Sequence, residues 1–119
     1  MTTPAPVSAG SRRLPHPPRE EIRLETVLQA LSDPMRLSIV RELAAGGDEL
    51  SCSHFDLPVT KSTTTHHFRV LRESGVIRQV YRGTAKMNGL RTDDLDALFP
   101  GLLGTVLDAA GRQAARLGG

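Results

Sequence analysis

Through most of the chain, apolar residues recur every three to four positions, the spacing that lines one face of a helix. Leu24, Val27, Leu28 and Leu31 form the first such stripe. They predict a helix over Arg19–Leu31, with Glu20, Glu21 and Glu25 toward its positive N-terminal end. Asp33-Pro34 is a start signal: a capping carboxylate, then a proline whose missing N–H does no harm at the first helical position. A second helix follows from Pro34 to about Ala45, with Leu37, Ile39, Val40, Leu43 and Ala44 supplying its core, and Gly46-Gly47 stops it. Between Asp48 and Val59 a short third helix is expected over Ser51–Phe55, with Leu50, Phe55 and Leu57 inward and Leu57-Pro58-Val59 as a turn.

The next helix is expected over residues 60–74. The Thr60 hydroxyl can accept from a first-turn N–H, and Gly75 supplies the left-handed residue that ends a helix. Thr64, Phe68 and Leu71 face inward with His67 at the edge, while Lys61, Ser62, Thr63, Thr65, His66, Arg69 and Arg72 face outward. After Gly75 the period changes to two. Val76, Ile77 and Val80, then Ala85, Met87 and Leu90, predict two strands joined through Tyr81-Arg82-Gly83-Thr84, with Arg78, Gln79, Arg82 and Lys86 exposed. Thr92 is expected to cap a last helix running to Ala115. Its broad apolar face is Leu95, Leu98, Phe99, Leu102, Leu103, Val106, Leu107 and Ala110, and Pro100 should kink or split it. Short helix, tight turn, capped polar helix and hairpin together predict a helix-turn-helix followed by a wing. The expected fold class is mainly α with a small β-hairpin, a winged helix-turn-helix over residues 19–116. Residues 1–18, with five prolines, are expected to be a mobile tail; Arg12, Arg13 and His16 within it can touch phosphate, but a tail with no role is the default.

Charge sharpens this picture. The 119-residue chain has a formal net charge of only +2, yet residues 60–91 hold seven Lys or Arg (Lys61, Arg69, Arg72, Arg78, Arg82, Lys86, Arg91) against one acid, Glu73. Six basic residues face eight acids before this segment, and two face four after it. Such a local excess is the footprint of a polyanion partner. A helix whose first turns carry short hydroxyls flanked by cations suits the DNA major groove. Ser62, Thr63, Thr65 and His66 are expected to approach base edges; Lys61, Arg69, Arg72, Arg78, Arg82 and Lys86 are expected to hold phosphates from the helix and wing. The bland alternative is a solvated polar face.

The terminal helices carry more apolar surface than a domain this small readily covers, and a buried Leu or Val contributes about 1.5–3 kcal/mol. Leu24, Val27, Leu28, Leu98, Leu102, Leu103, Val106 and Leu107 are therefore expected to pair across a two-fold axis in a homodimer. Two recognition helices would then read a pseudo-palindrome with half-sites about one helical turn apart. One cysteine, Cys52, permits no intrachain disulfide. Without a membrane-length apolar run or an apolar leader, a soluble cytoplasmic protein is expected. No phosphate-binding glycine loop or nucleophile–base arrangement points to an enzyme.

Ala30–Leu43 (ALSDPMRLSIVREL), Ser62–Ile77 (STTTHHFRVLRESGVI) and the basic hairpin after them resemble the ArsR family of bacterial winged-helix transcription regulators. The similarity spans roughly residues 21–106. It implies a homodimer on operator DNA, usually a repressor released by an effector. Thr64 stands where an apolar residue is common in the family, and Thr65 where Ser is common. Many members sense metals, so nickel or zinc is the effector the resemblance raises. The residues depart from those patterns: Cys52 and His54 make half a site, His16 lies in the tail, and adjacent His66 and His67 point about 100° apart. The last helix holds Asp93, Asp94, Asp96 and Asp108 but no histidine, and acids in a first turn follow from the dipole alone. Cys52 also raises a redox switch. A competing reading is a winged-helix protein-interaction module, or a DNA binder that needs a co-regulator protein.

Overall fold

The computed structural model describes residues 11–47 and 49–118, with the side chains of residues 11–13 excepted. In chain order the elements are β1 (Ser11–Arg13), α1 (Leu24–Leu31), α2 (Pro34–Ala45), β2 (Leu50–Ser51), α3 (Lys61–Glu73), β3 (Ile77–Arg82), β4 (Ala85–Leu90), α4 (Thr92–Leu98) and α5 (Leu102–Arg116). Short 3-10 turns at Arg19–Glu21 and Cys52–His54 stand where the sequence predicts longer helices. The first expected helix is thus a turn, an extended link and then α1. The expected Ser51–Phe55 helix is one 3-10 turn behind a two-residue strand.

Local signals set most boundaries. The Asp33 carboxylate accepts from the N–H groups of Met35 (2.8 Å) and Arg36 (3.1 Å), with Pro34 in the first turn. At the far end of α3, the Gly75 N–H donates to the Arg72 carbonyl (3.1 Å) and the Val76 N–H to the Leu71 carbonyl (3.0 Å). This paired closure needs a left-handed residue, and Gly75 has φ +89°. A Cβ there would also lie 2.6 Å from Ile22 Cγ1. Pro100 and Gly101 (φ +81°) divide α4 from α5, the split that proline predicts. Arg91, not Thr92, occupies the cap position of α4, and no side chain caps it.

The core brings Ile39, Val40 and Leu43 of α2 against Val27, Ala30 and Leu31 of α1, Phe68 and Leu71 of α3, and Val76 and Ile77 at the start of the sheet. Leu95 and Leu103 close it from the C-terminal side. Arg36 pins this junction: its Nε donates to the Ala30 carbonyl (2.7 Å) and its Nη1 to His67 Nδ1 (3.2 Å). One guanidinium therefore satisfies a carbonyl at the end of α1 and orients a buried ring of α3.

The sheet differs from the expected hairpin. It has four antiparallel strands in the order β1-β3-β4-β2. Ser11, Arg12 and Arg13 pair with Arg82, Tyr81 and Val80, and the Leu14 N–H continues the contact to the Gln79 carbonyl (3.1 Å). His16 Nε2 accepts from the Gln79 N–H (2.8 Å), and Arg91 Nη1 donates to the Pro17 carbonyl (2.7 Å). Where the sequence suggests a mobile tail to Pro18, the chain from Ser11 onward is thus placed against the sheet and Arg91 by these polar groups; residues 1–10 lie outside the described ones.

The hairpin also departs from expectation at Gln79, which is buried and not exposed, on the same face as the buried Ile77. Gln79 and Asn88, cross-strand partners, are fully buried, whereas Val80 and Met87 lie on the opposite face, half-buried. The two amides are satisfied there. Gln79 Nε2 donates to Asn88 Oδ1 (2.7 Å), and Asn88 Nδ2 donates to the Leu50 carbonyl and to Cys52 Sγ (both 3.2 Å). Arg72 Nη1 completes the row on Gln79 Oε1 (2.7 Å). No helix among the described residues is long and apolar enough to cross a membrane.

Candidate nucleic-acid interface

Helix α3 is anchored on one side and open on the other. His67, Phe68 and Leu71 are buried, while Lys61, Ser62, Thr65, His66 and Arg69 are exposed and Thr63 is half-exposed. Its first turn is ordered by hydroxyls. Thr60 Oγ1 accepts from the Thr63 N–H (3.2 Å) and donates to Thr63 Oγ1 (2.9 Å), and Thr64 Oγ1 donates back to the Thr60 carbonyl (3.1 Å). Thr64, at the position expected to face the core, is half-buried and satisfies its own hydroxyl locally. The His67 ring is fixed from below. Its Nδ1 accepts from Arg36, which leaves Nε2 carrying hydrogen toward Asp33 Oδ1 at 4.0 Å.

Helix and wing open onto the same space. A cleft of about 620 Å³ is lined by Lys61, Thr64 and Thr65 from α3 and by Tyr81, Thr84 and Lys86 from the hairpin. Lys86 Nζ sits 5.8 Å from the Tyr81 ring centroid, a cation held beside an aromatic face. Of the residues singled out in the sequence, Lys61, Thr65 and Lys86 line this cleft, while Ser62, Thr63 and His66 lie outside it.

Three of the six expected phosphate-holding cations are committed to the protein itself. Arg72 turns inward onto Gln79, and its Nε is buried without a hydrogen-bond partner among the described residues. Arg78 Nη1 donates to the Leu90 carbonyl (3.1 Å). Arg82 makes a two-point pair with Glu49, Nε to Oε1 at 2.8 Å and Nη2 to Oε2 at 3.0 Å, and this bond holds the Glu49 carboxyl below its usual range. Lys61 and Arg69 stay exposed on α3.

Residues 31–80 match a helix-turn-helix domain family. An uncharacterized HTH-type transcriptional regulator, YceK of Bacillus subtilis (strain 168), is 36% identical over 89 residues, covering 73% of this chain and 88% of the relative. The chain belongs to the helix-turn-helix transcriptional regulators. A second such regulator, MJ1325 of Methanocaldococcus jannaschii, is 32% identical over 59 residues, 49% of this chain and 66% of the relative. The fold of this chain is the winged helix of the ArsR type. The crystal structure of an ArsR family transcriptional regulator, RHA00566, superposes with a TM-score of 0.51 at 22% identity, over 79% of this chain and 88% of the other. The regulator is thus a DNA-binding protein of this class.

The regulator's other expected sites separate. Cys52 Sγ accepts from Asn88, His54 Nε2 lies 3.4 Å from Glu42, and His16 is engaged by Gln79, so each has a different partner. Among the described residues, no group of three or more His, Cys, Asp or Glu could hold a metal ion. Of the residues expected at a dimer interface, Val27 (1% exposed) and Leu103 (4%) are inside the chain's own core, where the apolar faces of α1 and α5 meet the rest of the domain. Leu98, Leu102, Val106 and Leu107 are half-buried against that core. Leu24 and Leu28 are exposed, at 43% and 45%.

Reading residues in isolation missed Arg36, Gln79, Asn88 and Arg91. Arg36 carried a signal, its place in the Asp-Pro-x-Arg start. Asp94 lies between Arg19 and Arg91, with Nε distances of 2.7 and 2.8 Å. Burial pushes its carboxyl up, but the bonds from Arg19 and Arg91 outweigh that and hold it below the usual range. This cluster ties the chain ahead of α1 to the start of α4.

Proposed function

We propose that the protein is a sequence-specific repressor that binds a pseudo-palindromic operator as a homodimer. The observation that carries the reading is the outer face of α3, where Lys61, Ser62, Thr65, His66 and Arg69 are exposed above a buried Phe68 and Leu71. In this reading α3 enters the major groove. Ser62, Thr63, Thr65 and His66 approach base edges, and Lys61 and Arg69 hold phosphates at either side. The hairpin, through Lys86, lies along the flanking backbone. Leu24 and Leu28 of α1, with the half-buried residues of α4 and α5, pack on a second copy and set two α3 helices on one face of the duplex. The protein would act in the cytoplasm, where the chromosome is.

The test is selection of duplex fragments from a genomic library by the purified protein, followed by salt-dependent titration of the retained sequence. Arg69→Ala should weaken all duplexes alike and reduce the log–log salt slope by about 0.9. Thr63→Val should change base preference and leave that slope in place. If both variants bind the retained sequence like the parent, α3 is not the reading element. If the purified protein retains nothing until a neighbouring gene product is added, a co-regulator is required.

A further inference from the structure

We infer that the segment Ser11–Arg13 is part of the DNA-contacting surface, with Arg12 and Arg13 meeting backbone phosphates beside the wing. This rests on the wing reading above and extends it to a stretch that lies before the helix-turn-helix.

Four observations converge. First, strand β1 pairs with β3, so the wing is three strands wide at this edge, β1-β3-β4. Second, the pairing is antiparallel and places Ser11 opposite Arg82, at the hairpin tip, with Arg12 opposite Tyr81 and Arg13 opposite Val80. Tyr81 is in turn opposite Lys86, so Arg12 falls in register with two of the hairpin residues that line the cleft beside α3. Third, much of the wing's own positive charge is engaged: Arg82 is paired with Glu49 and Arg78 with the Leu90 carbonyl. The sequence of β1, at that edge, carries two adjacent arginines. Fourth, the segment is anchored. His16 on the Gln79 N–H and Pro17 on Arg91 hold the chain where it leaves the sheet. A pre-placed strand loses less conformational freedom on meeting DNA than a loose tail would.

The partner chemistry is a row of phosphodiesters. Adjacent positions of a strand fall on opposite faces, so the two arginines put one cation on each face of the outer strand; phosphate contact carries no base code, so the contribution is to affinity and not to sequence choice.

The experiment compares salt titrations of the full chain with those of an Arg12→Ala/Arg13→Ala double variant and an Arg12→Lys/Arg13→Lys double variant, on the selected duplex and on unrelated duplex. The alanine variant should flatten the log–log salt slope by about 0.9 for each phosphate no longer neutralised, up to about 1.8, and weaken both duplexes in the same proportion. The lysine variant should keep the parent slope. A parent slope in the alanine variant overturns the inference, and so does an equal loss in both variants, which would mean that charge is not what the strand supplies. The wing reading fails separately: Lys86→Ala would then leave the slope unchanged, while Arg69→Ala still lowers it.

Discussion

Asn88→Leu should destabilise the domain more than its modest chemistry suggests. Asn88 is fully buried and accepts from Gln79 Nε2 (2.7 Å) while donating to the Leu50 carbonyl and to Cys52 Sγ (both 3.2 Å). Leucine keeps the branching and heavy-atom count, so no cavity opens; its bulkier methyl groups can only add overpacking to the polar loss. Gln79 Nε2 stays buried without that partner, and the half-buried Leu50 carbonyl loses one as well; sulfur is a weak acceptor and adds little. A stranded buried group costs about 1–3 kcal/mol, so the two together give roughly 2–4 kcal/mol once the carbonyl is placed at the low end. That is a large share of the roughly 5–15 kcal/mol that holds a domain together. At about 4–8 °C per kcal/mol for a domain near this size, Tm should fall by at least about 8 °C. Pairing it with Gln79→Met removes the amides from both sides and should cost less than the two single changes added, by about 0.5–3 kcal/mol. Urea unfolding of the parent, both single variants and the double variant, at one protein concentration because self-association would add to stability, measures this. A single variant within about 0.5 kcal/mol of the parent, or a double variant whose loss is the plain sum, would refute the buried amide row.

Further outcomes concern glycine, pH and association. Gly75→Ala should cost more than Gly83→Ala: both positions have positive φ, a strain of about 1–2 kcal/mol, but only at Gly75 does the new Cβ meet Ile22. Equal thermal shifts for the two would argue against that contact. Burial pushes the Asp33 carboxyl up, but the Arg36 and Met35 N–H groups and the charge of Arg36 outweigh it, leaving it below its ordinary value. A depressed folded value contributes stability above the unfolded pKa of about 3.9 and loses it as pH falls through the folded one. Asp33→Asn, which keeps a cap but cannot titrate, should therefore be less stable than the parent at pH 7 and close that gap below about pH 4, as read by urea midpoints across pH. Leu28→Glu, at an exposed position of α1, should leave the fold intact by circular dichroism and shift sedimentation toward a single chain; an unchanged sedimentation profile would move the dimer face elsewhere.

Signals that act within a few residues are legible in the residue string. Asp33 finds its N–H partners two and three residues on, Thr60 finds its own three on, and the Gly75 closure reaches back three residues. Pro100 removes a donor wherever the rest of the chain goes. Such interactions depend on identity and spacing alone, and apolar periodicity then orders the helices, so a helix-turn-helix with a following hairpin emerges without tertiary information. Partner choice over long separations does not. The bond from Gln79 to His16 spans 63 residues, and that from Arg91 to Pro17 spans 74. Alternation fixes that two faces differ without saying which one is packed, so Val80 and Met87 read as inward from the sequence, whereas Gln79 and Asn88 are the buried pair. Counting cations gives the sign of a surface, but a guanidinium on a long stem takes whichever acceptor the fold brings within reach. For Arg72, Arg78 and Arg82 that acceptor is Gln79, the Leu90 carbonyl or Glu49, each placed there by packing.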